Sequence, residues 1–406
     1  KYLENQARIS KQIGGSFDEK ADRYRKAIEG KRALTAKLRA KNYSKVADAA
    51  GAEVLTGTAS FEDQHHILVS YPDGTTETLE AGNIYINTGA SPFIPPIPGL
   101  RESRFMHTSD TMMELETLPK RLVIIGGGYI GVEFASYYAN FGSQVTVIQN
   151  GTSFLPREDQ ETAGHALESL LDRGVRVLFK TDVEKVEDGD QEAVLTISKD
   201  GQSSELRADA ILAATGRRPN IMGLHPEKAG VKLTERGAIQ VDDRLRTTAS
   251  NIWAMGDVTG GLQFTYMSLD DFRIVKSQVL GDGSRTAENR GSIPYSIFID
   301  PPFSRVGLTE KEARESGYQV KIAKLPAAAI PKAMVLEKTH GFLKAVIDAK
   351  TDQILGAHLF CAESHEIINI IKVVMNAGLP YTVLRDGIFT HPTMSEAMND
   401  LFAALS

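Results

Sequence analysis

Through residues 1–50 apolar positions recur at roughly helical spacing among Lys, Arg, Ala and Glu, which predicts one or two long solvated helices. From residue 52 the pattern shifts to short β-like runs: Glu53-Val54-Leu55-Thr56-Gly57, Ile67-Leu68-Val69-Ser70-Tyr71 and Ile84-Tyr85-Ile86-Asn87, with a Pro72-Asp73-Gly74 turn among them. These predict a hairpin meander. Ser91 to Gly99 holds four prolines in nine residues, which neither a helix nor a central strand accepts, so the segment is read as a crossover between domains.

At Arg121 the pattern becomes strand, glycine turn, helix, strand: Leu122–Ile125, Gly126–Gly131, an apolar helix to about Phe141, then Val145–Ile148. That is a βαβ unit of about thirty residues. Further strands and turns run from 176 to about 258. Residues 291 to 406 alternate strands such as Phe342–Ile347 with an apolar helix near Glu366–Ala377, an α+β pattern. The fold class expected is α/β.

The 406 residues imply two or three domains, and 42% hydrophobic with 24% charged residues is a globular composition. With 46 basic and 52 acidic residues the net charge is −6, which gives no electrostatic footprint for nucleic acid or anionic membrane. The longest apolar stretch, Leu122 to Ala135, contains four glycines and Glu133 and is too short to span a bilayer. The lone Cys361 cannot form an internal disulfide, which points to a reducing, cytoplasmic compartment and excludes dithiol chemistry within these residues. The chain opens at Lys1 without an apolar leader and reads as if cut from something longer.

Gly126-Gly127-Gly128-Tyr129-Ile130-Gly131 satisfies G-x-G-x-x-G between a strand and a helix. Glycines there let the chain turn tightly and let a pyrophosphate reach the amides at the positive end of the helix. The ribose-reading position at the end of the second strand holds Gln149, then Asn150, with Arg157 the nearest cation along the chain, so NADH and NADPH both stay open. Three further segments are each either a strand-ending turn or part of a cofactor site: Thr88-Gly89-Ala90, Ala214-Thr215-Gly216-Arg217, and Ile252-Trp253-Ala254-Met255-Gly256-Asp257.

Taken in order, these segments resemble the flavin-dependent pyridine nucleotide-disulfide oxidoreductases, and the likeness covers nearly the whole chain. Asp257 to Tyr266 with Leu269-Asp270-Asp271, Ser364 to Asn369, and Gly378-Leu379-Pro380-Tyr381 are more closely similar to the reactive-chlorine-resistance (RclA-like) subfamily, which includes hypothiocyanous acid reductases. The resemblance implies two Rossmann-like dinucleotide-binding domains, the first incomplete, plus a C-terminal α+β dimerisation domain. The expected boundaries are 1–115 and 246–290 for the FAD-binding domain, 116–245 for the NAD(P)-binding domain, and 291–406 for the interface domain.

It also implies roles. FAD falls to Thr88, Gly89, Ala90, Gly256 and Asp257, with Phe264, Thr265 and Tyr266 beneath the flavin. NADPH or NADH falls to Gly126, Gly128, Ile130, Gly131 and Gln149, Tyr129 being the lid over the nicotinamide; Gly216 and Arg217 complete the cofactor set. His391 and Glu396 match the family's H-P-x-x-x-E dyad, an acid-base pair reaching the partner subunit's site in a homodimer; a five-residue separation lets Glu396 orient the imidazole. Lys1 matches the lysine after the family's redox motif, which pairs with the glutamate matched by Glu133. The family's first glycine turn and C-x4-C pair are absent from these residues.

The expected activity is hydride transfer from NAD(P)H through FAD and a cysteine pair, missing here, to a small oxidant such as hypothiocyanous acid or a metal ion such as Cu(II). The alternatives are a dihydrolipoamide dehydrogenase-like disulfide oxidoreductase and a fragment that only binds nucleotide and dimerises. Cys361, in an apolar run, is expected to be buried and inert, and Arg305 is placed near the nicotinamide pocket. His358 and His365, seven apart with Glu363 and Glu366 nearby, are a conceivable metal pair, but no metal is assigned.

Overall fold

The computed structural model describes residues 1–48 and 50–405. Its chain forms two compact units, one built from residues 1–33, 94–215 and 292 onward, the other from 34–93 and 216–291.

The first unit is centred on a five-stranded parallel sheet in the order Met106–His107, Ala210–Ala213, Arg121–Ile125, Gln144–Gln149, Arg176–Phe179. Side chains alternate across a strand, so both faces must be covered, and that is why the inner positions of the three central strands are mostly apolar. Leu122, Ile124, Val145 and Val147 face the helical layer with Val132, Ala135 and Tyr138. Val123, Ile125 and Ile148 face an antiparallel three-stranded sheet through Val186, Leu195 and Ile197.

Residues 1–33 join this unit because their apolar stripe is buried there. Leu3 and Ala7 lie one turn apart on the buried face of the helix Tyr2–Ile13, which packs on the helix Tyr129–Phe141. Tyr24, on the next helix, stands 2.8 Å from the Tyr138 hydroxyl and donates to the Leu115 carbonyl at 2.7 Å. The chain passes between the two units at residues 33, 93, 215 and 291.

Residues 292 onward form a five-stranded antiparallel sheet in the order Tyr295–Ile297, Phe303–Gly307, Ile354–Phe360, Phe342–Asp348, Val320–Pro326. The helix Ser364–Asn376 lays Ile367, Ile368, Ile371 and Val374 into its core, at helical spacing.

The second unit contains the expected meander, but as Thr58–Phe61, His66–Ser70 and Thr76–Glu80. The run at Glu53–Gly57 is not a strand. Its residues stay exposed, whereas Phe61, on the first true strand, is buried with Ile86, Ile252 and Val258. Ile84–Ile86 pairs in parallel with Ile252–Ala254, and Ala90–Pro92 pairs antiparallel with Arg217–Pro219.

Candidate cofactor and proton-transfer sites

The strand Arg121–Ile125 delivers the chain into a turn that only glycine can make. Gly126 has φ 109°, and a Cβ on Gly131 would stand 2.0 Å from the Gly126 carbonyl oxygen. Gly128 differs: a Cβ there would meet open space. It is the N-cap of the helix Tyr129–Phe141, and no side chain caps that helix. Uncapped amides at the positive end of a 13-residue helix, with open space at the glycine before it, fit a dinucleotide pyrophosphate. Gln149 closes the turn from the next strand by accepting the Gly127 amide at 2.9 Å.

Tyr129, the first residue of that helix, turns its hydroxyl onto Glu158. The same Glu158 oxygen, Oε1, accepts the Tyr295 hydroxyl at 2.8 Å, and the two phenol oxygens are 3.5 Å apart. Glu158 Oε2 faces Arg305 Nη1 at 3.7 Å, and Arg305 also bonds Glu312 and, at 2.5 Å, the Arg157 carbonyl. Burial first and the Glu158 charge second push the Tyr129 phenol up to about 12. Arg305 thus lies one residue from the lid position, through Glu158.

Glu133, one turn along the same helix, accepts the Phe298 amide at 2.8 Å, and burial raises its carboxyl above the ordinary range. Lys1 Nζ lies 3.9 Å from the centroid of the Phe298 ring. The expected Lys1–Glu133 ion pair is not among the ion pairs of the described residues. The cation is held by a ring face instead, and both side chains converge on Phe298.

Within the second unit, two sequence segments meet. Thr88 donates to the Asn220 carbonyl at 2.7 Å, Asn220 Nδ2 returns a bond to the Thr88 carbonyl at 2.9 Å, and Arg217 donates to the Ala90 carbonyl. Gly256, at φ 73°, donates its amide to buried Asp271 at 2.7 Å, and Arg290 bonds the other oxygen of that carboxylate. Asp257 follows, partly exposed on the turn. Phe264 and Tyr266 stack at 5.3 Å at the start of the helix Thr265–Leu280, which no side chain caps. A held turn carrying a carboxylate, and a 16-residue helix start without a cap, fit the polyol and the anionic ring edge of a flavin.

His391 and Glu396 do pair. His391 Nδ1 lies 2.8 Å from Glu396 Oε2, while the Thr393 amide donates to Oε1 at 3.1 Å. The His391 bond, followed by that amide, holds the Glu396 carboxyl below the usual range, so the carboxylate accepts and Nδ1–H donates. The His391 side chain is 69% exposed.

Cys361 is fully buried, and burial pushes its thiol up to about 12. His358 is buried on its strand with Nε2 3.1 Å from the Leu308 carbonyl, and His365 packs edge-on against Phe298. Among the described residues no group of three or more His, Cys, Asp or Glu could hold a metal ion.

Residues 3–271 match the pyridine nucleotide-disulphide oxidoreductase model and 293–402 match that family's dimerisation domain. The chain belongs to this family. It is 50% identical over 378 residues to the probable pyridine nucleotide-disulfide oxidoreductase RclA of Escherichia coli, covering 93% of this chain and 85% of that one. It is 34% identical over 397 residues to dihydrolipoyl dehydrogenase of Mycobacterium tuberculosis, covering 98% and 83%. The mercuric reductase of Staphylococcus aureus is 34% identical over 370 residues, 91% of this chain and 66% of that protein. The solved structure of the Cu(II) complex of HOCl-induced flavoprotein disulfide reductase RclA from Escherichia coli superposes with a TM-score of 0.93 at 46% identity, covering all of this chain and 89% of that one.

The family's members are oxidoreductases that use FAD and NAD(P)H. Sequence reading passed over Glu158, Tyr295, Asp271 and Arg290 as site residues. The one signal was indirect: Asp271 lies in the Leu269-Asp270-Asp271 segment that carries the subfamily resemblance. No helix among the described residues is long and apolar enough to cross a membrane.

Proposed function

We propose that this protein passes hydride from NAD(P)H through FAD and a cysteine pair to a small oxidant, hypothiocyanous acid or a metal ion such as Cu(II), as a cytoplasmic homodimer whose subunits share the active site. The observation that carries the disulfide chemistry is the His391–Glu396 pair, an exposed imidazole with Nδ1 tied down by a carboxylate. The choice of hypothiocyanous acid rests on the subfamily resemblance, and that of Cu(II) is supported by the Cu(II) complex of the RclA structure that superposes at 46% identity.

When bound, FAD accepts the nicotinamide hydride and hands on two electrons. The chain's own residues do the rest. The turn at Gly126–Gly131 holds the nucleotide pyrophosphate, and Tyr129 covers the nicotinamide position. Asp257 accepts hydrogen bonds from the flavin polyol, and Asp271 fixes the amide beside it. Glu133 and Lys1, both gathered on Phe298, set the charge near the reacting ring. His391 Nε2 takes a proton from a thiol in the partner's site and returns it to the reduced acceptor. The cysteine pair is not within these 406 residues, whose one cysteine is Cys361.

Steady-state turnover of NADH and NADPH against hypothiocyanous acid, lipoamide and Cu(II) tests the acceptor, and faster turnover with lipoamide selects the dihydrolipoamide dehydrogenase-like reading. A second reading is a unit that binds nucleotide and dimerises without turnover. A colourless protein that oxidises neither nucleotide would establish it.

A further inference from the structure

Glu158 is a fully buried carboxylate that two phenols share at one oxygen, with a guanidinium standing off the other. A buried carboxylate is costly unless donors surround it, so a donor can leave only where others remain. Tyr129 sits on the cofactor turn. Tyr295 comes from the strand Tyr295–Ile297 and Arg305 from its neighbour Phe303–Gly307, where the two are directly opposite in register. The pair is thus fixed by a sheet, and Tyr129 is the donor placed where an arriving nucleotide can displace it.

We propose that Glu158, Tyr295 and Arg305 form a latch on Tyr129 that sets the affinity for the nicotinamide dinucleotide. This rests on the reading that the glycine turn binds that cofactor and that Tyr129 covers it. In the resting protein Tyr129 bonds Glu158. On entry of the nicotinamide ring the Tyr129 hydroxyl leaves Oε1, Tyr295 keeps its 2.8 Å bond, and Arg305, at 3.7 Å, closes on Oε2. Tyr295 and Arg305 are positioning residues: they keep the carboxylate solvated by protein while the lid is away. Without the Tyr295 hydroxyl, Glu158 depends on Tyr129 and the lid is held harder.

The test is a double-mutant cycle on the full-length protein, reading the Kd of NADPH and of NADH by calorimetry and KM against kcat in turnover. Tyr295→Phe keeps the ring against Tyr129 and removes only the hydroxyl. Its expected effect is about a tenfold rise in Kd and KM with kcat retained, the loss of one charge-assisted hydrogen bond. Tyr129→Phe releases the lid and lowers Kd, and adding Tyr295→Phe to it changes nothing further. An equal Tyr295→Phe effect in both backgrounds, or none in either, overturns the latch while leaving the cofactor reading intact. Failure of the unsubstituted protein to bind either nucleotide overturns that reading, and the latch with it.

Discussion

Glu396 holds His391 by one ring nitrogen: its carboxylate accepts Nδ1–H at 2.8 Å, which leaves proton exchange to Nε2. His391→Ala is expected to lower disulfide reduction at least about a hundredfold while leaving reduction of the protein by NADPH largely unchanged. Glu396→Gln keeps the shape but weakens the hold on the tautomer, and is expected to fall between. Stopped-flow measurement of the two half-reactions checks this, and equal losses in both would remove His391 from the proton-transfer role.

Two glycines of one turn are predicted to fail in different ways. In Gly131→Ala the new methyl meets the Gly126 backbone oxygen, which cannot move aside, so stability falls by more than about 2 kcal/mol. Gly128→Ala adds its methyl to open space at an ordinary φ of −78°, so the fold is kept within about 1 kcal/mol. That methyl stands where a pyrophosphate approaches the amides, and nucleotide affinity falls at least about tenfold. Thermal melts and nucleotide titrations of the two variants separate the effects.

Gln149 already faces the glycine turn through the Gly127 amide, and a carboxylate of the same length can accept that bond. Gln149→Glu brings a negative charge to the ribose end of the strand. The ratio of kcat/KM for NADH over NADPH is expected to rise at least about tenfold, because the charge repels a 2′-phosphate and not a hydroxyl. An unchanged ratio would show that the ribose lies elsewhere.

His358 lies between Arg305 and Lys344 across three neighbouring strands. Burial, first, and the Arg305 and Lys344 charges lower its value from 6.5 to about 4, Asp159 opposing them. The unfolded chain protonates this ring below 6.5 and the folded chain does not, so stability is lost as pH falls from about 6.5 to about 4. The loss is on the order of 3 kcal/mol. Denaturant unfolding across that range should show a shallower decline for His358→Gln; an identical decline would mean that His358 is charged in the fold.

What could be read from the sequence is what is local. The apolar run Leu122–Ile125, the glycines after it and the apolar helix to Phe141 lie side by side, so the βαβ unit and its turn were legible. Thr76–Glu80 was not, because an exposed strand of Thr-Glu-Thr-Leu-Glu carries no apolar pattern. The lid's partners were hidden by distance along the chain: Glu158 lies 29 residues from Tyr129 and Tyr295 lies 166. Resemblance supplied His391 with Glu396, which the structure pairs, and Lys1 with Glu133, which it brings to a common ring rather than to each other.

The most direct test is to reduce the full-length protein anaerobically with NADPH or NADH and then time its reoxidation by hypothiocyanous acid, Cu(II) and lipoamide. Rapid reduction followed by faster reoxidation with hypothiocyanous acid or Cu(II) than with lipoamide is the predicted result. No reduction by either nucleotide, or fastest reoxidation by lipoamide, would contradict it.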